Sequence, residues 1–239
     1  MPVFFLWFAL QISPLNQAIA LLEQGRPAEA IPILASLTKS NPVDPVAWKA
    51  LGVAHATLNQ YELAEPAFAE ACKQAPKLAD ACYFQGRALY ALNRFEASLK
   101  AMEQAPASGK VKLGVGQALE ALGRFDEAER TLQEAQNPAD PSASVALGLL
   151  YLRTGRTPQA EQILTATVAR FPNSVDARLD LARSLLHRQA IDLAIAQLER
   201  ALVLAPDNAQ AHLLLGKAYM RQGRDKEAQP HFEAARPTK

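Results

Sequence analysis

One phrase of sequence returns seven times along this chain, and its spacing limits the fold more than any other feature. Leu58-Asn59-Gln60-Tyr61-Glu62-Leu63-Ala64 is echoed by Leu122-Gly123-Arg124-Phe125-Asp126-Glu127-Ala128 and by Gln222-Gly223-Arg224-Asp225-Lys226-Glu227-Ala228. Weaker copies surround Ala30, Ser98, Ala160 and Ala194. The anchors therefore fall at 30, 64, 98, 128, 160, 194 and 228, with steps of 34, 34, 30, 32, 34 and 34. A fixed period of this size marks one supersecondary unit used repeatedly, each copy burying its apolar surface against its neighbours.

Two further phrases share the period. Before the anchor come Trp48–Gly52, Cys82–Gly86, Ser144–Gly148 and His212–Gly216; twelve residues after it come Pro42, Pro76, Pro172 and Pro206. Trp48, Leu51, Gly52 and His55 stand at i, i+3, i+4 and i+7, one face of a helix, as do Ala64, Phe68, Ala71 and Cys72. Gly52 lies where two helices must approach closely. Asn59-Gln60 suits a turn, since Asn tolerates left-handed geometry, and Pro76 stops the second helix.

Trp48, Leu51, Gly52, Tyr61, Ala64, Phe68, Ala71 and Pro76 together resemble the tetratricopeptide repeat, a 34-residue helix–turn–helix unit. The resemblance covers nearly the whole chain. It implies an all-α fold, a right-handed superhelical solenoid of antiparallel helix pairs. One array is expected over 13–239, with repeats near 13–44, 45–78, 79–108, 109–140, 141–174, 175–208 and 209–239.

Several departures stand out. The 30-residue step coincides with Gln104–Gly109; Lys112 stands where the large first-helix residue normally sits, and Gly114 and Gly116 weaken the helix that follows. Residues 105–112 read either as a hinge or as a four-residue deletion in a tolerant loop. Pro32, Pro66 and Pro230 follow their anchors by two residues. They are expected near the start of each second helix, where proline is tolerated, with a slight kink. No polar capping helix follows the last repeat, so the end at 228–235 is expected either to pair with another copy or to have a second helix polar enough by itself.

Composition narrows the function. Lys plus Arg number 25 against 24 Asp plus Glu, and no basic run appears, which argues against nucleic acid as a partner. Cys72 and Cys82 are too few for a disulfide scaffold and lack partners for zinc, so they are read as small core residues. His55 and His212 fall at core-facing repeat positions. No phosphate loop, nucleophile elbow or His-Glu-x-x-His appears, and no catalytic group, cofactor or metal is expected. Residues 1–12 hold the apolar run Val3–Leu10, which is too short to span a bilayer. It reads as a secretory signal or as a cap on the first repeat, so both an exported and a cytoplasmic protein are consistent with it.

The resemblance also implies where a partner binds. In this family the first helices of successive repeats form the concave wall. The matching positions give Lys49 in the second repeat, Tyr83, Arg87 and Tyr90 in the third, and Gln117 in the fourth. They give Leu149 and Arg153 in the fifth, Asp180, Arg183 and His187 in the sixth, and Lys217 and Met220, beside Leu213 and Arg221, in the seventh. The spacing of Asp176, Asp180, Arg183 and His187 also suits charges that merely pair on a solvated face. Tyr83 and Tyr90 are candidate rigid anchors. One branch of the family clamps a chaperone's C-terminal carboxylate with Lys and Asn. Lys49 matches that clamp, but Val53 and Phe84 replace Asn, and Lys110 and Gly114 hold the later Lys and Arg positions, so no such binding is expected. The chain is expected to be a non-catalytic scaffold that holds a protein or peptide. The alternative is a self-assembling component that forms homo-oligomers through its C-terminal repeat.

Overall fold

The computed structural model describes residues 13–76 and 80–236. The apolar segment 1–12 lies outside the described residues. The fold is an all-α helical-repeat solenoid of fourteen helices among the described residues, with a single isolated bridge between Asn137 and Asp140. The chain divides into two compact units, residues 1–118 and 119–239. The first contains α1 (Pro14–Glu23), α2 (Pro27–Ser40), α3 (Pro45–Thr57), α4 (Tyr61–Gln74), α5 (Ala81–Ala91) and α6 (Phe95–Met102). The division falls within α7 (Gly109–Ala121). The second contains α8 (Phe125–Ala135), α9 (Ser142–Arg153), α10 (Thr157–Arg170), α11 (Val175–His187), α12 (Ile191–Leu204), α13 (Ala209–Arg221) and α14 (Asp225–Ala234).

The tight turn inside each helix pair has one repeated cause. A residue with positive φ stands five positions before every anchor: Gly25, Asn59, Asn93, Gly123, Gly155, Gln189 and Gly223. The next residue's N–H then reaches back to the carbonyl five positions earlier, as Gln60 N–H does to His55 (2.9 Å) and Arg156 N–H to Tyr151 (2.8 Å). This left-handed cap satisfies the orphan carbonyls at the helix end and reverses the chain. First helices often begin with a side-chain cap. Asp44 accepts from Val46 and Ala47, Ser174 from Ala177 and Asn208 from Ala211.

The anchors mark the inner seam of each pair. Ala30, Ala64, Ala128, Ala160 and Ala194 are fully buried, as is Ser98, whose hydroxyl donates to the Gly86 carbonyl at 2.7 Å. Opposite the seam sit the glycines of the first helices. A Cβ on Gly52 would fall 2.6 Å from Phe68, and one on Gly148 2.6 Å from Leu164. Each is a place where the partner helix comes too near for any side chain. Packing then runs between neighbours: α2 on α3 and α4 on α5 in the first unit, α10 on α11 and α12 on α13 in the second.

The linker between pairs is held by a device the sequence reading did not identify. The carbonyl of Pro42 accepts from Trp48 Nε1 (2.9 Å), that of Pro172 from Arg178 Nη2 (2.7 Å) and that of Pro206 from His212 Nε2 (2.8 Å). Each donor lies six residues after its proline. Cys82 occupies the equivalent place after Pro76 and is joined to Cys72 by a disulfide, with Cα atoms 4.8 Å apart. This corrects the expectation of two unlinked core residues. Both cysteines are buried, but they face each other across the linker, and it is that approach, not the number of cysteines, that decides pairing.

Other expectations are also corrected. His55 and His212 are half-buried and not core residues. His55 Nδ1 is hydrogen-bonded with Gln60 Oε1 (2.8 Å), while His212 bridges its linker and His231. Pro32, Pro66 and Pro230 sit at the sixth residue of α2, α4 and α14, beyond the first turn. All three are exposed, so water can serve the carbonyl that the missing N–H leaves. The short step of 30 residues is taken largely from helix α6, which has only eight residues, and not from the loop after it. In the last helix, Gln229, Pro230 and Glu233 are exposed, Ala228 is buried and Phe232 packs on Gly216. The solvent-facing part of 228–235 thus mixes polar Gln229 and Glu233 with Pro230 and Ala234.

Candidate functional site

The first-helix faces of the two units differ in how they treat charge. In the first unit, Lys49 is half-buried with its ammonium 5.9 Å from the Phe84 ring centre. Lys110 is exposed and lies over both Tyr83 (4.5 Å) and Phe84 (4.9 Å). These are cation–π contacts. Tyr83 itself is only 5% exposed and packs with Met102 and Val111, so it belongs to the core and cannot serve as a protruding anchor. Tyr90 is half-buried and meets Phe95 edge-on at 5.3 Å. Arg87 is exposed and Gln117 half-buried.

In the second unit, two first-helix arginines are answered by buried carboxylates. Arg153 donates to Glu120 Oε1 at 3.0 Å, and Arg183 pairs with Asp180 one turn before it. Glu120 is 6% exposed and Asp180 5%. Burial pushes both carboxyls above the ordinary range, and the neighbouring arginine opposes that rise without cancelling it. The stripe on α11 is therefore neither wholly solvated nor wholly open. Asp180 is in the interior, Arg183 half-buried above it, and His187 exposed at the helix end.

Arg183, His187 and Lys217 converge. With Arg221, Leu186 and Leu214 they line a cavity of about 190 Å³ between α11 and α13. Lys217 is exposed and makes no ion pair among the described residues. Arg221 donates Nη1 to the Leu186 carbonyl at 2.9 Å and meets no carboxylate among them. Leu149 is half-buried, and Met220 is 54% exposed but does not line this cavity. Leu186 and Leu214 were absent from the groove positions chosen by sequence. Leu214 follows Leu213 directly, at a repeat position where the sixth repeat carries Asp180, and that alignment was the available signal.

Behind this wall, at the far end of the same pair, His212 and His231 meet through their Nδ1 atoms at 2.9 Å. Because a carbonyl only accepts, His212 Nε2 carries the proton shared with Pro206. A neutral His212 therefore accepts at Nδ1, and His231 donates. Burial and then His212 lower the His231 pKa. No helix among the described residues is long and apolar enough to cross a membrane.

Comparison with known proteins agrees with this architecture. The tetratricopeptide repeat family model matches residues 15–79, 78–144, 145–209 and 191–238. Among solved structures, a tetratricopeptide repeat protein from Parabacteroides merdae aligns over 93% of this chain and 90% of its own, with TM-score 0.78 and 16% identity. A chain of the APC/C hetero-tetramer Cut9-Hcn1 aligns over 95% of this chain, with TM-score 0.73 and 18% identity; this chain spans 46% of its length. YrrB, reported as a TPR protein with an unusual peptide-binding site, aligns over 74% of this chain and 95% of its own, with TM-score 0.53 and 20% identity. No curated protein sequence matches this one. At these identities the structural likeness is one of fold, while the repeat model matches the sequence itself over most of its length. The chain belongs to the tetratricopeptide repeat family.

Proposed function

We propose that this protein is a non-catalytic protein–protein interaction scaffold that binds a partner segment along its first-helix wall. The carrying observation is that first helices of both units present cations to solvent at one shared repeat position, Arg87 and Lys217, beside half-buried apolar groups. A wall of that kind offers charge-assisted hydrogen bonds and apolar contact without any reacting constellation. Support also comes from the family, whose members serve broadly as interaction repeats. One protein of similar fold belongs to a multi-protein assembly, and another carries a peptide-binding site. Within this reading Lys49, Arg87, Tyr90 and Gln117 contribute in the first unit, and Leu149, Arg153, Arg183, His187, Lys217 and Met220 in the second. Tyr83 and Asp180 act from beneath, by shaping the surface.

Paired capture from the source cell's lysate tests it. The intact chain is one bait and the Arg87→Glu/Arg183→Glu variant the other, with circular dichroism verifying equal helicity. Partners recovered by the first and lost by the second are the expected result. Identical partner sets would remove the wall from consideration at these positions.

A further inference from the structure

We infer that the cavity between the α8–α9 linker and α10 is a binding site for an indole ring, brought there by a tryptophan of a partner polypeptide. The site is separate from the wall proposed above, since none of the wall residues named there lines this cavity.

In three other repeats the space beside the linker is filled from within. Trp48, Arg178 and His212 each reach back to the carbonyl of the proline six residues earlier. Arg178 Nη1 also donates to Gln197 at 2.7 Å, and His212 meets His231 at 2.9 Å. Gln197 and His231 both stand three positions past an anchor. The same position in the second repeat is Ala67, part of the apolar cluster on which Trp48 packs. The fifth repeat has the linker without the filler. Ser144 stands six residues after Pro138. Its short side chain forms no hydrogen bond among the described residues, and the Pro138 carbonyl accepts none among them. A cavity of about 410 Å³ lies at that place, lined by Pro138, Ser144, Ile163, Thr167, Arg170 and Phe171, among others. It falls within the ~300–1,000 Å³ range of sites that hold ligands.

The second helix decides which filler fits. Three positions past the anchor of the fifth repeat stands Ile163, which can pair with neither a guanidinium nor an imidazole and matches the apolar surroundings of Trp48. Arg170 is exposed, makes no ion pair among the described residues, and repels a cationic ring. Phe171, where the second and sixth repeats have Ala75 and Ala205, adds an aromatic surface for offset or edge-on packing. The Pro138 carbonyl is left to accept a hydrogen bond. A neutral flat ring with an apolar body and one N–H meets every one of these conditions. Trp48 shows that an indole at this place in the repeat reaches the proline carbonyl, at 2.9 Å. The exposed polar groups of Gln136, Asn137 and Arg170 then remain for the main-chain amides beside the tryptophan, which a free indole molecule lacks.

The test is a titration of the full, nitrogen-15-labelled chain with N-acetyltryptophanamide, followed by amide chemical shifts. Shifts are expected to concentrate in residues 136–144 and 163–171. Binding should be at least about fivefold tighter than that of N-acetylleucinamide, and at least about threefold tighter than that of the derivative methylated at the indole nitrogen. Ser144→Trp, which supplies the filler from within, should abolish the shifts. Ile163→Gln, with helicity verified by circular dichroism, should weaken binding about fivefold and keeps the test open if Ser144→Trp fails to fold. Shifts outside these segments only, no binding, equal binding of the leucine or methylated compound, or undiminished binding by folded Ser144→Trp or Ile163→Gln would overturn the assignment. Tighter binding of N-acetyltyrosinamide would overturn the choice of ring. Tighter binding of indole itself would overturn the polypeptide source in favour of a free indole compound.

Discussion

At the residue scale, the left-handed turn position separates local preference from local demand. Six of its seven occupants are Gly or Asn, which accept positive φ readily, but Gln189 sits there at φ 62°. A Cβ in this region costs roughly 1–2 kcal/mol, less what the turn's hydrogen bonds return. Gln189→Gly is therefore expected to stabilise the chain by about 0.5–1 kcal/mol, visible as a higher melting temperature. A lower one would mean that the Gln189 side chain contributes more than its backbone costs. Asp180 supplies a second test. Burial holds its pKa above the ordinary value, so the folded chain binds this proton more tightly than the unfolded chain does. The stability it contributes is complete below the unfolded value of ~3.9 and is lost as pH rises through the raised folded one. Asn has no such proton. The melting temperature of the wild type relative to Asp180→Asn should thus fall as pH climbs from about 3.5, then level off once Asp180 is ionised. A difference that stays flat with pH would show that Asp180 does not titrate in this way.

At the element scale, the linkers between helix pairs show how one structural need is met by unlike chemistry. Trp48, Arg178 and His212 each donate to a proline carbonyl six residues earlier, and Cys82 instead joins Cys72 across the same kind of linker. The regular spacing of the prolines was legible as punctuation. The donors were not, because an indole, a guanidinium and an imidazole share no sequence signature except their place in the repeat. The bond between α4 and α5 closes a loop of ten residues, so its loss should cost at most about 2–3 kcal/mol through chain entropy. Thermal unfolding with and without reductant, alongside Cys72→Ser/Cys82→Ser, checks this. The expected result is the same lowered transition for the reduced chain and the variant, and indifference to reductant in the variant. An unchanged transition on reduction would show that the pair contributes nothing to α4–α5 packing.

At the scale of the whole molecule, packing runs between sequence neighbours, so damage should remain local. Gly148→Ala would drive a methyl group into Leu164, at a cost of about 1–3 kcal/mol. α9 packs on α8, α10 and α11. Hydrogen exchange should accelerate in those helices and remain unchanged in α1–α4, as expected where stability is a sum over repeats and their interfaces. Uniform acceleration along the chain would instead reveal all-or-none unfolding. The helix pairs, their buried anchor positions and the close approach at Gly52 and Gly148 were readable from period alone, because every repeat solves the same packing problem and so repeats the same residues. The meeting of Arg183 and His187 with Lys217 and Arg221 follows the same period, since each pair is 34 residues apart. Other partnerships were not readable, because a repeat position does not say what is packed against it: the Cys72–Cys82 bond and the burial of Tyr83 and Asp180. A repeat position says which face of a helix a residue occupies. Whether that residue is covered, paired or left facing an unmatched charge depends on what the next helix brings against it, and that is decided only when the pairs stack.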